Sequence, residues 1–526
     1  MVNSLSFKSF LISMIQPFLI FFYFLINLFT CNNFHETSFI EVISIIFFGI
    51  LIISFLIFVF GFIFYKSYFK GSFFLSFCLL LFFYFIPITS YLYSIGFIRN
   101  LLHIGYNRFC VIFMLLCFLF FIFLFLKLFK LKKENIFLSK ILIFPFLILI
   151  LFSVAKIVSF NLNVQKLINS YKIYEKQFFE KHEKYFTTKN LLNKRDIYYI
   201  ILDDYASQRN LKNFYGYDNS SFLDSLKEKG FYVAENSYSN YNCTQFSIPS
   251  FLNMNYYPDF VKNDYTKQEK LALSDYMIKN NLAVSFLKLL DYKLVFIPSH
   301  WGPTSFNVRS DFTYSYFVYS DFLNIFLNNT LLRPVERLIG NYFYRKLVYN
   351  QLDSLKDSVS IKGPKFVFAH IDVPHAPYIF DSNGNNTSEY TVFGDNGDVK
   401  RFEKMYIDQL IFISKKINKV IEYILNKSES DPIIFLHSDH GHIDLRFHDY
   451  YKKIVKNDLF EKLKIRHGIL NVYYFPNSGE KLLYDSISPV NNFRVFFKYY
   501  FGIDFDLLDD ISFGVPGNKG INLSLN

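Results

Sequence analysis

The chain has 526 residues, of which 52% are hydrophobic, with 70 Phe and 40 Tyr against only 19% charged residues. That length exceeds one compact domain, and the apolar bias points to a membrane protein with a separate folded part. The formal charge of +11 does not imply nucleic acid: Lys and Arg are scattered, no nucleic-acid-binding motif appears, and these charges read as membrane-flanking and surface groups.

Five apolar runs are long enough to cross a hydrocarbon core of about 30 Å, which takes roughly 20 helical residues. They lie near residues 10–30, 39–64, 72–95, 109–129 and 137–159, the third interrupted by Pro87. No small-residue cleavage site follows the first run, which therefore reads as a span and not as a cleavable signal. Residues 31–38 carry no Lys or Arg, the second loop carries Lys66 and Lys70, and the third carries Arg99 and Arg108. The fourth loop holds Lys127, Lys130, Lys132, Lys133 and Lys140. Positive loops stay on the cytoplasmic side, so this cluster predicts a cytoplasmic N-terminus and an extracytoplasmic remainder after the fifth span. The two Arg of the third loop run against that pattern. Four of the five cysteines (Cys31, Cys78, Cys110 and Cys117) lie in this apolar third and only Cys243 beyond it, which excludes a disulfide framework.

Residues 161–194 are polar, without Gly or Pro, and place Leu167, Ile168, Tyr171, Tyr174, Phe178 and Phe179 at roughly helical spacing. This predicts an amphipathic linker helix leaving the membrane, a spacer in preference to a substrate-handling element. From residue 196 the pattern becomes α/β. Strands are predicted at 197–202, 293–297, 365–371, 433–436 and 470–475, helices at 222–229 and 402–425, and a surface loop at 381–397. Short apolar runs alternating with helices argue for a largely parallel sheet covered on both faces. The expected division is 1–160 for the five-span membrane domain, 161–194 for the linker helix and 195–526 for an α/β catalytic domain.

The chemistry concentrates at strand ends. In DPIIFLHSDHGH (431–442), a buried strand gives way to three imidazoles, a carboxylate and a glycine, as α/β enzymes present functional groups at the carboxyl edge of a sheet. The strand 197–202 ends in Asp203-Asp204, adjacent carboxylates that repel each other unless a cation or base sits nearby. Taken with Asp439 and His440, this pair suggests a site for a borderline divalent cation. The segment YNCTQFSIPSFLN (241–253) sets Thr244 before a predicted helix, where a hydroxyl is placed to act as an activated nucleophile. Cys243 lacks any Cys-x-Pro-x-Arg context and ranks below it. In VPHAPY (373–378), His375 lies between two prolines that stiffen its backbone. His370 fits an ordinary core histidine, and Arg466-His467 offers a further cation for an anionic substrate.

In this order, ILDDYAS, the Thr-bearing segment, Pro-His-x-Pro, Ser-Asp-His-Gly and a closing His before a strand resemble the sulfatase-like hydrolases and transferases of the alkaline phosphatase superfamily. Five spans ahead of an outward catalytic domain are similar to the lipoteichoic acid synthases and phosphoethanolamine transferases of that superfamily. The resemblance extends from residue 196 to about 513. It implies an alkaline phosphatase/sulfatase-like fold, with Asp203, Asp439 and His440 as metal ligands and Thr244 as both ligand and nucleophile. Asp204 is a further candidate ligand, standing where many membrane-bound relatives have Gly. His375, His467 and Arg466 would bind substrate, whereas the roles of His370, His437 and His442 are left open. The implied cofactor is a divalent metal ion, Zn²⁺ or Mn²⁺ before Mg²⁺ or Ca²⁺. The formylglycine motif of true sulfatases is absent, which argues against sulfate-ester hydrolysis by that chemistry.

The function expected is transfer of a phospho-head group of the phosphoglycerol or phosphoethanolamine type through a phospho-threonine intermediate. A membrane lipid would be the donor and an envelope glycan or lipid the acceptor, at a bacterial-type inner (plasma) membrane with the catalytic domain periplasmic. The alternatives are a hydrolase of phosphate or sulfate esters on the same fold and, from another class, a non-catalytic binder of envelope polymers.

Overall fold

A computed structural model describes residues 2–31, 39–95, 106–131, 136–187, 194–261, 265–317, 320–387, 399–442, 459–503, 505–514, 516 and 519–524. The chain divides into two compact units: residues 1–162 with 321–339, and residues 163–320 with 340–526.

The first unit is helical. Its elements are α1 (Val2–Cys31), α2 (Phe39–Ile63), α3 (Tyr68–Ser94), α4 (Tyr106–Lys130) and the amino-terminal part of α5 (Ile136–Thr187). Among the described residues, four helices are long and apolar enough to cross a membrane, whereas the apolar piece of α1, Met14–Thr30, is shorter. Five spans were expected, and the first is the one that falls below the length criterion. Outward aromatics such as Phe55, Phe58 and Phe62 are 59–68% exposed, as lipid-facing side chains would be. Where α2 meets α3, a Cβ on Gly71 would lie 2.5 Å from the Gly61 nitrogen, so the crossing needs glycine. The segment 161–194, predicted as a separate linker, is helical to Thr187 as the direct continuation of the fifth apolar run. Residues 99, 132 and 133 of the charged loops lie outside the described residues.

One element was not foreseen. Helix α11 (Asp321–Asn328), far along the sequence, belongs to the first unit. Its Phe322 is buried, and Phe326 meets Phe24 edge-on at 6.0 Å, all within an apolar cluster that includes Ile57 and Phe83. The Leu331 amide then donates to the Phe82 carbonyl at 3.0 Å.

The second unit is built on a seven-stranded sheet: β1 (Ile197–Leu202), β2 (Tyr232–Val233), β3 (Lys293–Ile297), β4 (Phe312–Thr313), β5 (Lys365–Ile371), β6 (Ile433–His437) and β7 (Asn471–Tyr474). Its order is β2-β7-β6-β1-β5-β3-β4. The pairs β1–β5, β1–β6, β3–β5 and β3–β4 are parallel, but both pairings of β7 are antiparallel. The sheet is therefore mixed, not the largely parallel one expected. The run Leu470–Phe475 carries no sign of its direction in its apolar pattern.

Strand β1 is central and wholly buried. Its period-two alternation divides its side chains between two cores: Tyr198, Ile200 and Leu202 on one face, Ile197, Tyr199 and Ile201 on the other. The first face is covered by α13 (Val399–Lys427) through Tyr406, Leu410, Ile413 and Ile417, and the second by α15 (Asn492–Phe501) through Phe493, Phe496 and Phe497. The registers Leu202↔Ile371 and Ile201↔His437 bring the carboxyl ends of β1, β5 and β6 level. Asp203, Asp372 and Ser438 are the residues that follow them. The predicted loop 381–397 is described only as far as residue 387.

Candidate active site

Strand β1 delivers Asp203 and Asp204, both buried. The Asp203 amide donates to Ile371 O at 3.0 Å, continuing the ladder by one residue. Asp204 then takes a left-handed conformation at φ +65° and turns the chain. From β6, Ser438 stitches this edge together: its Oγ accepts from the Tyr205 amide at 2.8 Å and donates to His440 O at 2.8 Å. Gly441 is required where this loop passes the end of α14 (Leu459–His467), because a Cβ there would sit 2.5 Å from both Gly468 O and Ile465 O.

The His440 ring organises the cluster. Nε2 lies 3.2 Å from Thr244 Oγ1, 3.3 Å from Asp439 Oδ2 and 3.6 Å from Asp203 Oδ1. Nδ1, on the opposite edge, lies 3.2 Å from Asp204 Oδ1. Thr244 opens α8 (Thr244–Leu252), whose first internal bonds run from Phe246 and Ser247 to Cys243 O. The hydroxyl thus stands at the positive end of a helix.

Three further residues complete the surroundings. His375 is half-buried; its amide donates to Asp203 O at 3.1 Å, and Gln409 of α13 holds the loop by donating to Pro374 O and His375 O. His467 is buried, with Nδ1 2.9 Å from Ser239 O. Burial, reinforced by the neighbouring Arg466 charge and only partly offset by the Ser239 carbonyl, pushes its pKa down to about 3, so the ring is neutral at ordinary pH. Arg466 donates to Asn242 O at 2.7 Å and Gly441 O at 3.1 Å and pairs with Asp204 Oδ1 at 3.4 Å.

The donors fit a divalent cation. Asp203, Asp439 and His440 present ligand atoms within 4.8 Å of one another. Asp203 Oδ1 and Asp439 Oδ2 are buried without a hydrogen-bond partner, a costly arrangement unless a cation meets them. Their electrostatics agree. Burial and the Asp203 charge hold the Asp439 carboxyl above its usual range, while for Asp203 the burial effect is outweighed by His375, His370 and His440, which hold it below.

The sequence-derived set Asp203, Asp439, His440 and Thr244 is thus brought together, and His375, His467 and Arg466 stand around it. Asp204 is not part of the group. It lies behind His440, its Oδ2 bonded to His442 Nδ1, whose ring stacks on Tyr406 with centroids 3.8 Å apart. His442, left open by the sequence, is therefore a buried partner of Asp204. His437 points Nδ1 at Ser438 O and packs edge-on against Phe251 and Tyr199. Asp372 and Gln409 escaped sequence reasoning. The signal for Asp372 was its position one residue past β5, equivalent to that of Asp203 past β1.

The chain is similar to the C-terminal periplasmic domain of EcEptC from Escherichia coli in complex with Zn, at 14% identity and a TM-score of 0.43, covering 63% of this chain and 93% of that one. It is also similar to the lipoteichoic acid synthase LtaP from Listeria monocytogenes (14% identity, TM-score 0.36, 54% of this chain and 66% of that one). A third is the integral membrane lipooligosaccharide phosphoethanolamine transferase A (EptA) from Neisseria meningitidis (12% identity, TM-score 0.36, 92% and 94%). No family model and no curated protein sequence matches the chain.

Proposed function

We propose that this protein is a metal-dependent transferase that moves a phospho-head group, of the phosphoglycerol or phosphoethanolamine type, from a membrane lipid to an envelope glycan or lipid. The observation that carries this reading is the Thr244 hydroxyl, 3.2 Å from His440 Nε2, at a helix N-terminus and beside two buried carboxylates. Asp203, Asp439, His440 and Thr244 would hold the ion, which supplies a lowered pKa for the threonine hydroxyl and neutralises charge on the phosphoryl group.

The residues then divide the work. Thr244 Oγ1 attacks phosphorus in line, so that the Oγ–P bond forms as the bond from phosphorus to the lipid oxygen breaks. The departing alkoxide takes up a proton, and the threonine ester of the head group remains. The amino end of α8 and the Arg466 guanidinium favour the anionic group. His375 and His467 line its other oxygens, His467 as a neutral ring that hydrogen-bonds without adding charge. An acceptor hydroxyl next attacks phosphorus from the vacated side; its proton is released, and Thr244 leaves as the alkoxide and regains a proton. Asp204, from behind, keeps the His440 ring turned toward the threonine.

Five spans with a cytoplasmic N-terminus and a periplasmic catalytic unit complete the proposal. Loop charge supports the orientation, and α1 would be the span completed by its less apolar amino end. The test is incubation of the purified protein with labelled phospholipid and envelope glycan. Labelled glycan or lipid product, abolished by a chelator and by Thr244→Ala, is the expected result. Free head group without acceptor product would replace the transferase by a hydrolase, and turnover indifferent to both treatments would overturn the site.

A further inference from the structure

One free edge of the sheet is β4, and the loop that leads into it has its polarity reversed. Asn307 is buried at 4% exposure, whereas its neighbours Phe306 and Val308 stand 56% and 76% exposed. Hydrogen bonds fix this arrangement. Asn307 Oδ1 accepts from the Arg309 amide at 2.9 Å and Asn307 O from Ser310 Oγ at 2.7 Å. Thr313 Oγ1 lies 2.6 Å from the same Ser310 Oγ. Asp311 ties the loop to β3: its carboxylate accepts from the Leu294 amide at 2.7 Å, and its amide donates to Leu294 O at 2.9 Å. With the polar groups engaged on the inside, the apolar ones are held outward.

The same edge carries more of them. Phe312 of β4 is exposed, as is Phe317 just beyond it, whose ring lies 4.9 Å from that of Phe343. Next to Phe343 in α12 (Arg333–Asp357), Tyr342 is exposed, and Lys346 lies over its ring at 6.0 Å. The remaining strongly exposed apolar side chains of this unit beyond residue 187, Leu289, Tyr423, Leu507 and Ile521, are scattered along the chain. Such scatter is ordinary, whereas a concentration of outward aromatic residues marks a surface that meets something apolar.

The course of the chain indicates what that is. Shortly after Phe317 it enters α11, which belongs to the helical unit, and α12 begins in that unit before returning. The outward residues thus flank, in sequence, the segment that the α/β unit lends to the membrane helices. Their kinds agree: Phe and Tyr rings with a neighbouring Lys are the residues of a membrane interface, where rings lie at headgroup depth and the basic group reaches lipid phosphate. A protein partner fits less well, because a standard interface takes roughly 20–30 residues a side and this edge offers a handful.

We propose that the β4 edge docks on a phospholipid surface, with Phe306, Val308, Phe312, Phe317 and Tyr342 entering its interfacial layer. This contact is independent of the phosphoryl chemistry proposed above.

The single tryptophan of the chain makes the test direct. The full chain with Trp301→Phe is reconstituted in phosphatidylcholine vesicles, and one tryptophan is restored at a time. The positions are Phe306→Trp, Val308→Trp and Phe317→Trp, with Leu507→Trp as the exposed reference outside the patch. Lipid brominated near the head of its acyl chains should quench the first three and leave Leu507→Trp unquenched, and the three should emit to the blue of the reference. No quenching at any of the three overturns the proposal, as does equal quenching of Leu507→Trp. Blue-shifted emission without quenching, growing with the protein-to-lipid ratio, assigns the edge to a second copy of the chain and also overturns it. A second arm leaves the chain unmodified, so that it does not depend on Trp301→Phe folding. A phospholipid with a diazirine beside its glycerol should cross-link within residues 305–317, mapped by mass spectrometry. Cross-links in α2 and α4 with none in that loop overturn the docking surface.

Discussion

Asp204 holds a left-handed backbone that glycine adopts without cost and that strains most other residues. Its setting offsets that strain: Tyr406 donates to its carbonyl at 3.0 Å, and its carboxylate meets His440, His442 and Arg466. Its carboxylate lies 3.2 Å from His440 Nδ1, and on the proposed reading Asp204 is the positioning group of that imidazole. Asp204→Asn should weaken Mn²⁺ or Zn²⁺ affinity by about 10- to 100-fold, the usual cost of losing a group that orients a ligand. Asp204→Gly should lose as much affinity although its backbone is relaxed; titration calorimetry giving full affinity for the Gly variant would reduce Asp204 to a turn residue. At Thr244 the expectation is sharper. Thr244→Ser should keep measurable transfer and Thr244→Ala should not, in an assay following labelled head group into acceptor.

Elements placed these residues, and how far they could be read in advance depended on periodicity. Strands β1, β5 and β6 were legible because uninterrupted apolar runs end abruptly in Asp or His, so the site's position at the sheet edge followed from the pattern. Helix α13 was legible from its long apolar repeat, predicted at 402–425 and found at Val399–Lys427. The direction of β7 was not, since a short apolar strand looks the same whichever way it runs. The place of Asp204 behind His440 and that of Asp372 beyond β5 escaped the sequence for one reason: a carboxylate's setting depends on which side of an imidazole it occupies, and sequence carries no such angle.

Two predictions belong to this scale. At Gly441→Ala the new methyl would meet two backbone oxygens, from Ile465 and Gly468, neither of which can swing away as a side-chain tip could. A destabilisation of about 1–3 kcal/mol with loss of metal binding should appear in denaturation and titration of the purified variant. At the end of α14, His467 has a folded pKa of about 3 against an ordinary value near 6.5. The folded state therefore disfavours protonation, so this group's contribution to stability is complete above about pH 6.5 and is lost as pH falls from there toward 3. In His467→Gln, the dependence of unfolding free energy on pH between 6 and 4 should be shallower by up to one proton; an unchanged slope would mean that the ring already titrates in the folded protein.

At the scale of the whole molecule, the chain enters its first unit twice, once through residues 1–162 and again through 321–339. Nothing in the sequence of α11 announces this, because eight residues are too few to suggest a membrane association and too amphipathic to stand out from an ordinary domain helix. The division makes a test of its own. A fragment of residues 163–526 would display Phe322, Ile325 and Phe326, which the apolar cluster of the first unit otherwise covers. That fragment should aggregate without detergent, whereas the same fragment with 321–339 replaced by a Gly/Ser linker of equal length should stay monodisperse in size-exclusion chromatography. Equal behaviour of the two would show that α11 needs no apolar partner.

This double entry also sets an order of events during synthesis. Helices α1 to α4 leave the ribosome first, yet the last piece of their unit is made only after some 160 further residues. At elongation speeds of roughly 5–20 residues per second, the interval is about 8 to 30 s. For that time the surface formed by Phe24, Ile57 and Phe83 waits for Phe322 and Phe326. Completion of the first unit is in this way timed by synthesis of the first part of the sheet.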